Sequence, residues 1–316
     1  MKITKLKEFK RIDKYARVKV CYAGPIAEVM HMDRQNIMPV MRKLDANRMV
    51  NIKTGEIIDC NRSEFRSETI KGVIKTIGQI RRIINANVLI AENVRWVTFT
   101  YKENMTDTIR LKKDFNNFFK RFAYSCEKKG IQIPQYITIV EPQGRGAWHL
   151  HVFLIWESKA PFIPNAELAA SWGKGFITIT AVRNDIDNLG AYFSAYLTNL
   201  PVEETLTNKE VLGMPGEIIE CEVYEGTEKV MKKFKKGARL KLYPAGVNLY
   251  RTSRGIVLPE FENSNMQAVH EKIGSGNPTF ASCSIIEEET TDFSITITKE
   301  YYNMNRQTKA RQSATD

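Results

Sequence analysis

The sequence predicts an α+β fold, a central antiparallel sheet backed by helices, and three observations predict it. Residues 95–101 (Arg-Trp-Val-Thr-Phe-Thr-Tyr) alternate and are rich in β-formers, as a half-buried strand is. Residues 136–141 and 148–156 are two further β-rich runs, separated by the breakers Pro142-Gln-Gly-Arg-Gly146; strand, turn and strand make a hairpin. Between and around these runs apolar residues recur at helical spacing. The resulting order is strand, helix, strand, strand, helix, strand, helix.

Taken in order, residues 1–62 carry little periodic signal. Residues 17–22 read as a short strand and 51–56 as a turn. Residues 25–48 read as helical; the run 26–44 is basic and partly amphipathic, which leaves open a helix-turn-helix or a small ordered extension. His31 has no candidate partner and reads as a surface or half-buried histidine. Residues 67–87 are predicted helical, with Ser67 as cap, Glu68 in the first turn, and Val73, Ile74, Ile77, Ile80, Ile83 and Ile84 as the apolar stripe. Lys71, Lys75, Arg81 and Arg82 decorate it as a solvated face. Asp107 caps a helix over 108–129 whose stripe, Ile109, Leu111, Phe115, Phe118, Phe119 and Phe122, reads as core. A short helix over 164–172, a strand over 176–181 and a helix starting at Asp185 follow. Residues 229–241 are the densest basic run and read as a basic helix face, followed by Tyr243, Tyr250, Arg251 and Arg254; basic residues interleaved with aromatics suit a nucleic-acid backbone and unstacked bases. Residues 294–297 read as a last strand and 308–316 as a frayed tail. The chain thus divides into a 1–90 extension ending in a helix, a 91–205 sheet-and-helix domain, and a 206–316 extension with a basic segment and a polar tail.

With 316 residues the chain is long enough to bury a real core, and its formal charge is +11. From Val257 onward there are 5 basic and 9 acidic residues, so residues 1–256 carry 42 against 27, or +15. A polyanion such as nucleic acid is the simplest partner, and its surface belongs to the first four-fifths. No apolar run approaches a membrane span, and the N-terminus lacks the apolar core of a secretory signal. The five cysteines are scattered and odd in number, with no zinc-type spacing, as in reduced thiols of a cytoplasmic protein. No Gly-x-x-x-x-Gly-Lys-Ser/Thr loop is present, so no fused helicase is expected.

The chemistry concentrates around the hairpin. His149 and His151 are two of only four histidines, and period 2 puts both on one face of their strand. Two neutral imidazoles so placed make a two-point clamp for a divalent cation. The hairpin carries Glu141 alongside them, with Gln143 a lesser candidate. One carboxylate with two imidazoles suits magnesium or manganese if positions stay open for substrate oxygens. Tyr192 and Tyr196, four apart on a helix, project from one face. A phenol loses its proton only near pH ~10. Beside a divalent ion that aligns a phosphodiester it becomes a credible nucleophile, and its attack conserves the bond energy for rejoining.

The strand 96–101, then Glu141, then His149-Leu-His151, then Tyr192-Phe-Ser-Ala-Tyr196, in that order, resembles the HUH endonuclease superfamily. It is most similar to the rolling-circle replication initiators of Gram-positive plasmids and related phages and mobile elements. The resemblance covers roughly residues 95–200. Segments 44–56 and 243–254 look like the same proteins. It implies a ferredoxin/RRM-like core with the histidine pair on a middle strand. It implies magnesium or manganese held by Glu141, His149 and His151, with Tyr192 and Tyr196 as the nucleophile pair, Tyr196 favoured because it sits one turn deeper. The implied substrate is single-stranded origin DNA, cut to a 5′-phosphotyrosine and a free 3′-hydroxyl, with host helicase and polymerase doing the unwinding and copying. Many relatives carry a lysine three residues after the tyrosine; the corresponding residues here are Ala195 and Asn199. Two other readings stand: a non-catalytic DNA-binding replication factor or repressor, and a relaxase or transposase of the same superfamily. The latter usually place the tyrosine differently or need a third histidine.

Overall fold

In a computed structural model of the chain, residues 2–34, 41–45, 47–59, 70–183, 185–205, 217–225, 228–244, 247–287 and 294–306 are described. The chain forms two compact units, one made of Met1–Arg62 with Leu258–Asp316 and the other of Ser63–Val257. The linear three-part division expected from the sequence thus differs from the observed one: the two ends of the chain fold together. The reason is strand pairing. In the first unit, β1 (Lys2–Leu6), β2 (Arg17–Ala23) and β3 (Ile26–Met32) enter a six-stranded sheet completed by strands from the far end of the chain. The hairpin β4 (Met41–Lys43), β5 (Arg48–Asn51) and β6 (Ile57–Asp59) forms a small separate sheet.

The helical reading of residues 25–48 is corrected by this unit. Ala23 pairs with Ile26 across Gly24 and Pro25, and Gly24 has φ +56, so the two breakers make a tight turn between strands. The expected turn at 51–56 does join β5 to β6. His31 is half-buried on β3, with Nδ1 2.9 Å from the Arg17 carbonyl.

The second unit holds the elements expected around the hairpin. They are α1 (Ile70–Asn87), β7 (Val94–Tyr101), α2 (Thr108–Lys128), β8 (Gln135–Pro142), β9 (Trp148–Ile155), α3 (Asn165–Trp172), β10 (Gly175–Ala181) and α4 (Leu189–Tyr196). Ser67 and Glu68, the expected cap of α1, lie outside the described residues. Asp107 caps α2 as expected, accepting from the Ile109 and Arg110 amides. The last helix starts at Leu189 and not at Asp185, because the Asn188 side chain caps it by accepting from the Ala191 amide. Then come β11 (Leu200–Pro201), α5 (Val202–Thr205), β12 (Ile218–Glu225), β13 (Glu228–Lys235) and β14 (Tyr250–Thr252). The basic run is therefore a strand, not a helix face. Val230 and Phe234 alternate on β13 and pair with Val223 and Ile219 of β12. The chain returns to the first unit with β15 (Glu262–Asn265), α6 (Met266–Ile273), β16 (Phe280–Glu287) and β17 (Ser294–Asn303). The sheet order there is β1-β16-β17-β3-β2-β15. The expected tail at 308–316 lies outside the described residues.

The main sheet of the second unit has the order β10-β7-β9-β8-β14, with every pairing antiparallel. The histidine strand β9 is thus the central one. One face is closed by α2 and α3 through an aromatic core of Phe99, Phe115, Phe118, Phe122 and Trp172. Most of the α2 stripe is core as expected; Ile109 departs from it, 80% exposed in the first turn. On the other face α4 packs Phe193 against Trp96 and Phe153, and α1 runs beside α4.

Candidate active site

The hairpin does what its sequence predicts. Across β8 and β9, Glu141 pairs with His149 and Ile139 with His151; across β7, Thr100 pairs with His149 and Thr98 with His151. Directly paired residues of antiparallel strands point to one side. Glu141, His149, His151, Thr98, Thr100 and Trp96 therefore share the face that α4 partly covers. The turn is closed by Gln143 and Ala147, whose amide and carbonyl bond at 2.7 Å.

Each imidazole is oriented by its neighbours. His151 Nε2 hydrogen-bonds the Glu141 carboxylate directly, and its Nδ1 lies 3.0 Å from Thr98 Oγ1. Trp96 stacks on the same ring at 4.9 Å with 9° between planes. His149 Nε2 lies 3.4 Å from Thr100 Oγ1. Burial, assisted by the charges of His151, Arg239 and Arg145, outweighs the pull of Glu141 and lowers the His149 pKa to about 4, so this imidazole is neutral at physiological pH. A neutral ring keeps a lone pair for a metal.

Glu141 is fully enclosed. Burial alone would raise its pKa; Arg239 first, then His151 and His149, overcome that and bring it down to about 2. Arg239 is the residue that sequence reasoning missed at this site. It is 2% exposed, with Nη1 2.6 Å from the second Glu141 oxygen and 2.6 Å from the Pro142 carbonyl, and Nε 3.0 Å from the Asn199 carbonyl. One guanidinium thus ties the end of β8 to the residues just past α4. The expected role for the basic run, contact with a nucleic-acid backbone, is corrected at Arg239 and at Tyr243. Tyr243 is 1% exposed and donates its hydroxyl to the Val140 carbonyl. Both are internal supports of the site.

The tyrosines are brought to the histidines. The Tyr192 and Tyr196 hydroxyls hydrogen-bond each other at 3.0 Å, and both rings line a cavity of about 180 Å³ together with His151, Trp96 and Ile186. A second cavity of about 140 Å³ lies behind them, walled by Cys221, Val223 and Phe234. Burial, and then the hydrogen bond with Tyr192, raise the Tyr196 pKa above that of a free phenol. Placement of α4 depends on Gly190. A Cβ there would overlap the Arg81 carbonyl of α1, and the Gly190 amide donates to Asn85 Oδ1 at 2.7 Å. Arg81, read from sequence as part of a solvated face, reaches Ser194 Oγ of α4 at 3.4 Å.

The donor types fit a hard divalent cation: one ionised carboxylate and two imidazoles on one sheet face, each imidazole hydrogen-bonded to a threonine. The spacing is looser than a closed cage. Glu141 and His151 bond each other, the His149 and His151 ring centroids are 6.2 Å apart, and no three His, Cys, Asp or Glu side chains among the described residues stand close enough to hold an ion by themselves. Gln143 accepts from Arg145 Nε at 3.1 Å, at the turn.

Residues 94–200 match the family model of the replication-associated protein ORF2 family. The match spans about a third of the chain and contains Glu141, His149, His151, Tyr192 and Tyr196, while Arg239 lies beyond it. It supports a Rep-type replication protein. No curated protein and no solved structure matches the chain. Among the described residues no helix is long and apolar enough to cross a membrane.

Proposed function

We propose that this protein initiates rolling-circle replication as a metal-dependent, site-specific single-stranded DNA endonuclease and strand transferase of the HUH type. The observation that carries the reading is the cavity shared by His151, Tyr192 and Tyr196, one hydrogen bond away from Glu141. A tyrosine oxygen forms a bond to the scissile phosphorus, and the bond from phosphorus to the 3′ oxygen breaks. The phenol gives up its proton and the leaving 3′ oxygen gains one. The products are a 5′-phosphotyrosine and a free 3′-hydroxyl that primes synthesis; attack by a later 3′-hydroxyl reverses the step and rejoins the strand. Two tyrosines within hydrogen-bond distance allow two successive transfers without release.

Glu141, His149 and His151 would hold magnesium or manganese. When bound, the ion supplies charge neutralisation and polarisation of the non-bridging phosphate oxygens. The chain's own residues do the rest. Thr98 and Trp96 fix the His151 ring; Arg239 holds the Glu141 carboxylate and the end of the tyrosine helix in one frame; burial keeps His149 unprotonated. Origin DNA is the partner, and host helicase and polymerase supply unwinding and copying in the cytoplasm.

Cleavage of end-labelled single-stranded origin DNA with manganese tests this. Wild type is expected to leave a covalent protein–DNA species on a denaturing gel, and the Tyr192→Phe/Tyr196→Phe double variant to lose it by about a thousandfold or more. Cleavage that survives the double substitution would remove the tyrosines from the reaction. A second reading, a DNA-binding replication factor without catalysis, is favoured by the pairing of Glu141 with Arg239, which occupies one carboxylate oxygen. Absence of wild-type cleavage with any divalent metal would support it.

A further inference from the structure

Phe176 stands apart from the other aromatic residues of the second unit. It is 67% exposed on β10, the strand at one end of the main sheet, which pairs only with β7 among the described residues. A lone exposed phenylalanine is ordinary on a protein surface. Its register is what matters here. Phe176 pairs with Thr100, Thr100 with His149, and His149 with Glu141, so these four side chains form one row across one face of the sheet. Phe162, 88% exposed, follows the end of β9 away from the Glu141–His149 row and lines a different cavity.

The row is bordered by cations. Lys102, exposed just past β7, donates its backbone amide to the carbonyl of Lys174, two residues before Phe176. Arg145, exposed in the β8–β9 turn, lies close enough for its charge to help lower the pKa of His149. An apolar ring flanked by exposed positive charge, open to solvent on the face of the candidate metal ligands, has the chemistry that binds an unpaired nucleobase and its phosphate. Neighbouring strands are about 4.8 Å apart, so Phe176 and His149, two strands apart, are separated by about 10 Å. A strand whose phosphate lies over His149 can lay a nearby base on the ring.

We infer that Phe176 is a base-stacking platform for single-stranded DNA, set on the open edge of the sheet in the row that carries His149 and Glu141. The inference rests on the proposed DNA chemistry for its location, but not on cleavage. Stacking on a flat ring is sequence-tolerant, so Phe176 positions the strand while selectivity lies elsewhere.

The test uses full-length protein, fluorescein-labelled dT20 and a labelled 20-base-pair duplex, with EDTA present so that no cleavage occurs. Fluorescence anisotropy is expected to show Phe176→Ala weakening dT20 binding by roughly 5- to 150-fold, Phe176→Trp binding like wild type, and duplex binding changing less than about twofold. Because Phe176 is mostly exposed, the alanine variant should retain the wild-type circular dichroism spectrum. Equal affinity of Phe176→Ala and wild type for dT20, no measurable wild-type binding to dT20, or an equal loss on duplex would each overturn the inference. If wild type cleaves nothing but dT20 binding still depends on Phe176, the catalytic reading falls and the platform stands.

Discussion

At the scale of single residues, the site is governed by which charges are paired. Arg239 is enclosed with Glu141, and removing one partner of a buried ion pair leaves the other uncompensated. Arg239→Ala should therefore destabilise the protein by about 3–5 kcal/mol in urea denaturation. A loss below about 1 kcal/mol would mean that the pair is not formed in solution. Arg239→Lys should recover only part, because an ammonium cannot reproduce the fork that reaches Glu141 and the Pro142 and Asn199 carbonyls together. In the other unit, burial and then the charge of Arg11 lower the His270 pKa below its usual 6.5, and its buried Nε2 has no hydrogen-bond partner. A depressed folded pKa means that the unfolded chain takes up the proton first. Stability due to neutral His270 is thus present above about pH 6.5 and is lost as pH falls below it. Denaturation midpoints should drop less between pH 7.5 and 5.5 in His270→Asn than in wild type; equal drops would contradict the assignment.

At the scale of elements, the helix that bears the tyrosines is placed by contacts far from them in sequence. Gly190 lets α4 touch the α1 backbone, and Gly190→Ala would push the helices apart. The expected cost is about 1–3 kcal/mol, with a fall in nicking larger than the fall in DNA binding, since the phenols move relative to His151. Unchanged nicking would show that α4 tolerates the shift. The hairpin, by contrast, is local. Its breakers, alternation and histidine spacing are all within residues 136–156, which is why the sequence predicts the Glu141–His149 register correctly. The α2 core stripe is legible for the same reason, since helical period and an Asp cap are short-range signals. Arg239 is not legible: it lies 97 residues from its Pro142 partner, inside a lysine-rich run whose composition suggests exposure. The same run folds as a strand because Val230 and Phe234 alternate, a signal hidden by the lysines between them.

At the scale of the whole molecule, long-range strand pairing decides what composition cannot. The first and last segments share a sheet because β17 pairs with β3 and β15 with β2, and no local pattern announces partners some 270 residues apart. The tyrosine-bearing unit, residues 63–257, holds 28 of the 47 Lys and Arg against 20 of the 36 Asp and Glu, so it carries most of the excess positive charge. Affinity for single-stranded DNA should accordingly fall with salt, log K declining linearly with log salt at a slope of about −0.7 per phosphate neutralised. A salt-independent affinity would argue against backbone contact.

The most direct test of the central claim is mass spectrometry of the protein after incubation with manganese and a single-stranded origin oligonucleotide, followed by nuclease and protease digestion. A nucleotide phosphate attached through Tyr192 or Tyr196 is the result predicted. Cleaved DNA with both new ends free and neither tyrosine modified would contradict it.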